Sequence, residues 1–226
     1  LNIHQVRHLK ALEELDYEIV HTIRDPIAGL CSGVKHWLNY DDGKHVSPWQ
    51  LYFWIERVFN GLKTLIKLKT KIHIVQIELL HQQNTKVMRE MTEKFNISYN
   101  QNLTLSTYHG KLWWGDKVSG RDLNGVNPNF KNNIDYNFFY KKDILCLEKY
   151  LKRFMIKYDY PISGKRLKFS AIKILPLKIE VNIWKKTLLN RNIREILSIF
   201  YYWIKRVNLM KSNLYDNIDF PDPFGK

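Results

Sequence analysis

The run Tyr17-Glu18-Ile19-Val20-His21-Thr22-Ile23, ended by Arg24-Asp25-Pro26, limits the fold more than any other segment. It is short, β-branched and bounded by polar residues, as a buried strand is. Asp25 suits a helix N-cap and Pro26 the first helical position, where a missing N–H costs nothing. A strand, a tight turn and a helix reaching about Leu38 are therefore expected in immediate succession. Ser47-Pro48 repeats the start signal, and Leu51, Trp54, Ile55, Val58, Leu62, Leu65 and Ile66 keep helical spacing over about five turns. Residues 72–77 then read as a second strand. Strands joined through a long helical crossover run parallel. The spacing predicts an α/β fold, a parallel sheet flanked by helices.

Glu78-Leu79-Leu80 closes the second strand in this reading, and a helix carrying Val87, Met88, Met91 and Phe95 follows. Periodicity is lost over residues 98–137. Trp113-Trp114-Gly115-Asp116 lies in that stretch, and two tryptophans in a long loop suggest a segment that covers a ligand. Asp143 is expected to cap a helix with Ile144, Leu147, Leu151, Phe154, Met155 and Tyr158 on one face. Pro161-Ile162-Ser163-Gly164 breaks it. Residues 165–186 read as basic and irregular. A last helix over 190–210 puts Ile193, Ile196, Leu197, Phe200, Ile204 and Val207 on one side, with Arg191, Arg194, Lys205 and Arg206 on the other. That helix either docks on the domain or lies on an anionic membrane surface. The organisation expected is an α/β domain over 1–163 and a basic, partly amphipathic helical extension over 164–226.

Composition narrows the function classes. With 226 residues, 45% hydrophobic and 26% charged, the chain can bury a sizeable core, which excludes a disordered polymer and a collagen-like repeat. Cys31 and Cys146 are the two cysteines, too few for a disulfide framework, and no Cys/His cluster has zinc-ligand spacing. No metal is expected, and the cysteine usage points to a reducing, cytoplasmic compartment. No run of eighteen apolar residues and no secretory signal is present. The net charge of +14 favours an anionic partner: nucleic acid, a phosphorylated cofactor, an acidic glycan or a membrane surface. The same excess also follows from a chain rich in Lys, Asn, Ile and Tyr, whatever its function.

An Arg at the carboxyl end of a parallel strand stands where α/β proteins bind ligands. Arg24 supplies a forked, permanently charged donor. Ser32, early in the following helix, supplies a hydroxyl, and the two together suit a phosphate monoester. The alternative is an Arg that bonds the turn and a Ser packed as a small helix residue.

His21-Thr22-Ile23-Arg24-Asp25-Pro26, with Ser32 at that distance, resembles the 3′-phosphate-binding segment of the sulfotransferases that use 3′-phosphoadenosine 5′-phosphosulfate (PAPS). Val75-Gln76-Ile77-Glu78-Leu79-Leu80 resembles that family's strand ending in an acidic residue and Leu before a helix. Ser106-Thr107-Tyr108-His109-Gly110-Lys111 through Asp116 resembles its late cofactor-covering loop, and the 143–160 helix, with Leu147-Glu148, resembles the closing helix of bacterial members. The resemblance covers roughly residues 1–160 and rests on the order and spacing of these segments. It implies a P-loop-NTPase-like fold, with Arg24 and Ser32 holding the 3′-phosphate. Gly110 and Lys111 would close over the nucleotide, and Trp113 or Trp114 would line the adenine or acceptor pocket. The family opens with a strand and a Gly/Ser/Thr loop for the 5′-phosphosulfate. Here the first glycine is Gly29, so either the chain is a fragment lacking that loop, which is the reading preferred, or that half-site has been lost. The family places a His or Glu base shortly before the Arg-bearing strand. His4 is the candidate catalytic base and His8 the weaker one, whereas His21, His73 and Glu78 are expected in structural roles.

The reading is a PAPS-dependent O-sulfotransferase, with no metal, acting on a carbohydrate hydroxyl. The acceptor class follows from the Trp, Tyr and Asn residues between Tyr99 and Tyr140, whose rings and amides suit sugars. A nucleotide or sugar kinase is the second reading, and it requires ATP and magnesium. A basic nucleic-acid-binding module ranks last, because no helix-turn-helix, zinc-finger or aromatic-ribbon pattern is present. The partners expected are thus the nucleotide sulfate donor and its acceptor, no nucleic acid, and a peripheral membrane contact through 190–210 if that helix does not dock.

Overall fold

The first strand, β1 (Ile19–Ile23), ends where the Arg-Asp-Pro turn dictates, and helix α1 (Pro26–Asn39) follows at once. Asp25 is buried, and its Oδ1 accepts from the N–H groups of Ile27 and Ala28 at 2.9 and 3.0 Å, satisfying donors that no helical carbonyl can reach. Ser47 and Gln50 cap α2 (Pro48–Ile66) reciprocally: the Ser47 hydroxyl accepts from Gln50 N, and the Gln50 side chain accepts from Ser47 N. Strand β2 (Ile72–Gln76) pairs with β1 in parallel, in a register that sets Ile19 opposite Ile72 and Ile23 opposite Gln76. The computed structural model describes residues 17–39, 47–66, 71–105, 107–109, 111–112, 126, 130, 132, 137–164, 174–189, 193–211 and 219–225.

Beyond β2 the structure differs from the sequence expectation in five places. Glu78, Leu79 and Leu80 do not end the strand but form the first turns of a short helix, α3 (Ile77–Gln82), which α4 (Asn84–Lys94) continues. The aperiodic stretch contains a 3₁₀ turn (Gln101–Thr104) and an antiparallel ribbon of β3 (Thr107–Tyr108) and β4 (Lys111–Leu112). Helix α5 (Lys141–Lys157) begins before Asp143, whose carboxylate accepts from Tyr140 N at 2.9 Å and from Lys178 N at 3.0 Å. One buried anion therefore serves the positive ends of two helices. The second helix is α6 (Lys178–Leu189), inside the segment expected to be irregular.

Helix α7 (Ile193–Lys211) exists where the periodicity placed it, but its inward face is different. Ile199, Arg206, Val207 and Met210 are buried, while Ile193, Leu197, Phe200 and Ile204 are exposed. Electrostatics sets the rotation. Arg206 is fully buried, donating from Nε to Glu180 Oε1 at 3.0 Å and from Nη2 to Glu180 Oε2 and the Leu175 carbonyl at 2.9 Å each. A two-pronged guanidinium–carboxylate pair of this geometry holds the side once counted as polar toward the core.

The described residues form two compact units. The larger holds α1, α2, α5, α6 and α7, with α2 against α7 and α1 against α2 and α5. Its core includes Ile27, Leu30, Leu51, Ile55, Phe59, Leu147 and Leu151, and Phe154, Tyr158, Tyr160 and Phe220 form a buried aromatic cluster. The smaller unit holds β1, β2, α3, α4, the 3₁₀ turn, the ribbon and the segment from Pro221 onward. That last segment extends the sheet on the far edge of β2: Pro223 bridges Ile74 in parallel, and Phe224 N donates to the Ile74 carbonyl at 2.9 Å. The Phe224 ring stacks on His73, and Gly225, at φ +88°, lies so close to Val87 that a Cβ there would meet it at 2.8 Å.

The two strand histidines have the structural roles expected of them. His73 bonds the Glu18 carboxylate and meets Phe95 edge-on. Burial pushes the His21 imidazole down to about 4 from its usual 6.5. The unfolded chain takes up a proton between those values that the native strand refuses. The stability His21 confers is thus complete above pH 6.5 and lost as pH falls through 4, by at most about 3 kcal/mol. Glu18, whose carboxyl its bonds to His73 and Lys71 hold below the usual range, acts in the same direction. Urea midpoints measured from pH 7 to pH 4.5 should fall steeply for the native chain and less for His21→Phe, with equal slopes counting against burial of this ring.

Candidate functional site

Parallel pairing brings the carboxyl ends of β1 and β2 to one edge, so Arg24 and the first turn of α3 are neighbours by construction. Arg24 Nε donates to Asn132 Oδ1 at 3.2 Å, and Asn132 Nδ2 donates to Glu78 Oε1 at 2.7 Å. A single amide thus links the guanidinium to a carboxylate and fixes which way each group turns. The Arg24 guanidinium carbon also sits 5.4 Å from the centroid of the Phe130 ring. Phe130 stacks in turn on His81, with centroids 4.6 Å apart and planes 13° from parallel. Gln82 Nε2 donates to the Phe130 carbonyl at 3.4 Å, tying that residue to the end of α3.

The electrostatics follow from this packing. Burial lowers the His81 pKa first, and the Arg24 cation adds to that, while Glu78 opposes it. The ring therefore stays neutral near pH 7. The guanidinium has five N–H donors, of which the bond to Asn132 uses one, and its terminal amino groups keep the fork geometry that matches an oxyanion. Chemically the cluster can fix a cation, orient it and bind an anion beside it.

A comparison with family models, with curated proteins and with solved structures finds no match.

Of the site residues expected from sequence, Arg24 closes the sheet edge of the smaller unit, and Lys111 is exposed on β4 of the same unit. At the ribbon turn His109 adopts φ +50°, the left-handed conformation that two-residue hairpin turns require. Ser32 is an exposed residue of α1, in the larger unit. His4, His8, Gly110, Trp113 and Trp114 lie outside the described residues. The sequence reading missed Phe130, Asn132 and His81, and it gave Glu78 a supporting duty without a partner. Asn132 meets Arg24 across 108 positions of chain, and no local pattern encodes such a contact.

Other chemistry is sparse. Cys31 and Cys146 are buried and form no disulfide, and burial pushes the Cys146 thiol up to about 11, which removes it as a nucleophile at neutral pH. Among the described residues no group of three or more His, Cys, Asp or Glu side chains is placed to hold a metal ion. No helix among them is long and apolar enough to cross a membrane. In the larger unit Val34, Trp37, Leu51, Trp54 and Ile183 leave an apolar gap of ≈ 10 Å³, room for no more than one water.

Proposed function

We propose that this chain is a PAPS-dependent O-sulfotransferase that moves a sulfuryl group to a hydroxyl, with a carbohydrate as acceptor. The carrying observation is the guanidinium of Arg24, set at the carboxyl edge of a parallel strand pair and oriented by Asn132 and Phe130. That is the position and chemistry a ribose 3′-phosphate needs. The sulfotransferase-like order of segments around it adds support, and the P-loop-like fold belongs to the same reading. Parallel β1 and β2, joined through two helices, are consistent with it.

In this reading Arg24 holds the 3′-phosphate, and Gly110 and Lys111 cover the nucleotide. The donor supplies an activated sulfuryl group. The chain's own task is to fix the donor's phosphates, exclude water and take the acceptor's proton, for which His4 is the proposed base. The Asn132–Glu78 link keeps the Arg24 fork turned toward the ligand.

Calorimetric titration with adenosine 3′,5′-bisphosphate tests this directly. The bisphosphate should bind at least about tenfold more tightly than 5′-AMP. Arg24→Ala should weaken the bisphosphate about 100-fold and leave 5′-AMP nearly unchanged, since a charge-assisted bond is worth about 1.5–3 kcal/mol. Equal affinity for the two nucleotides, or an Arg24→Ala variant that binds like the native chain, would overturn the assignment.

A further inference from the structure

Helix α7 shows water a face that helices normally bury. Ile193 is 72% exposed, Leu197 65%, Phe200 58% and Ile204 52%, and these four recur at the spacing that aligns them along one side of the helix. Leu189, at the end of α6, is more exposed still, and Tyr201 borders the row. The opposite side is already committed to Glu180 through Arg206 and to the core through Ile199 and Met210. The row therefore cannot turn inward without breaking a buried ion pair.

The surroundings select the partner. Lys205 and Arg194 lie on the exposed side next to the row, Lys211 ends the helix, and Lys185 and Lys186 are exposed on α6. Glu195 is the one acidic residue of α7. A second copy of a chain carrying +14 would set these cations against its own. An anionic lipid surface attracts the cations and accepts the apolar row among its acyl chains. We propose that α7 is a docking face for an anionic bilayer, lying in the plane of the interface with Ile193, Leu197, Phe200 and Ile204 inserted. The proposal does not depend on nucleotide binding, and its test needs none.

The test is co-sedimentation of the chain with vesicles of phosphatidylcholine alone and of phosphatidylcholine with 30% phosphatidylserine, at about 0.1 M salt. The chain should partition onto the anionic vesicles at least about tenfold more strongly than onto the neutral ones, and raising the salt to about 0.5 M should weaken this. Leu197→Ser/Phe200→Ser should reduce partitioning at least about tenfold, because two inserted side chains are lost. Both positions are exposed, so the variant keeps its fold, which circular dichroism and an unchanged urea midpoint verify. Lys185→Glu/Lys186→Glu should lower binding to anionic vesicles only. Absence of sedimentation, equal binding to both vesicle types, or a serine variant that binds like the native chain would overturn the proposal. So would sedimentation equilibrium showing a native dimer that the serine variant dissolves, since the face would then belong to self-association.

Discussion

Glu180→Ala should cost the helical unit about 3–5 kcal/mol, because it leaves a fully buried guanidinium without its counter-charge. Nε and Nη2 of Arg206 lose both carboxylate oxygens together, and the Leu175 carbonyl and the Met210 sulfur are poor substitutes. The same carboxylate accepts from Leu177 N at 2.7 Å, so the start of α6 is weakened as well. In urea the midpoint should fall with little change in slope, and the melting temperature should drop by roughly 10 °C. Removing both charges is a different experiment. Glu180→Leu/Arg206→Met should return most of the lost stability, since a buried pair replaced by apolar groups of similar volume is often neutral or better. A single variant costing under about 1 kcal/mol, or a double variant as unstable as the single, would contradict the burial of this pair.

Phe59→Ala should cost nearly as much, about 3–5 kcal/mol. Phe59 is fully buried and follows Leu51 and Ile55 at four-residue spacing, so the three form the inward row of α2. Removing the ring leaves a void in a close-packed helical core, and such surroundings relax little. Phe59→Leu refills most of that space and should cost roughly half as much or less. The measurement is a pair of chemical denaturation curves, and an alanine variant no worse than the leucine variant would place Phe59 outside the core.

Local chemistry was legible wherever chain neighbours decide the outcome. Asp25-Pro26 and Ser47-Pro48 announced two helices because a cap and a fixed φ act within one turn. The β1–β2 pairing followed from a crossover too long for a hairpin. What failed was rotation. The apolar count of α2 passed over Phe59, and that of α7 took in Ile193, Leu197, Phe200 and Ile204, which face solvent, together with Val207, which is buried. A periodic row says that a helix has a face, and only its partners say which face goes in. For α7 the decisive partner was the Glu180 carboxylate, on a helix that the basic composition of 165–186 concealed. The candidate site divides the same way. Arg24 could be singled out because its turn is local, but Asn132 and Phe130 reach it from a stretch with no period at all.

The segment beside β2 has a consequence for biosynthesis. Pro223, Phe224 and Gly225 complete the smaller unit, which also uses the Lys86 ammonium on the Gly225 carbonyl. On a translating ribosome both strands emerge long before those three residues do. At about 5–20 residues per second the intervening chain takes roughly ten seconds or more to be made. Throughout that interval the free flank of Ile74 has hydrogen-bonding groups with nothing to pair, an invitation to a chaperone or to a neighbouring nascent chain.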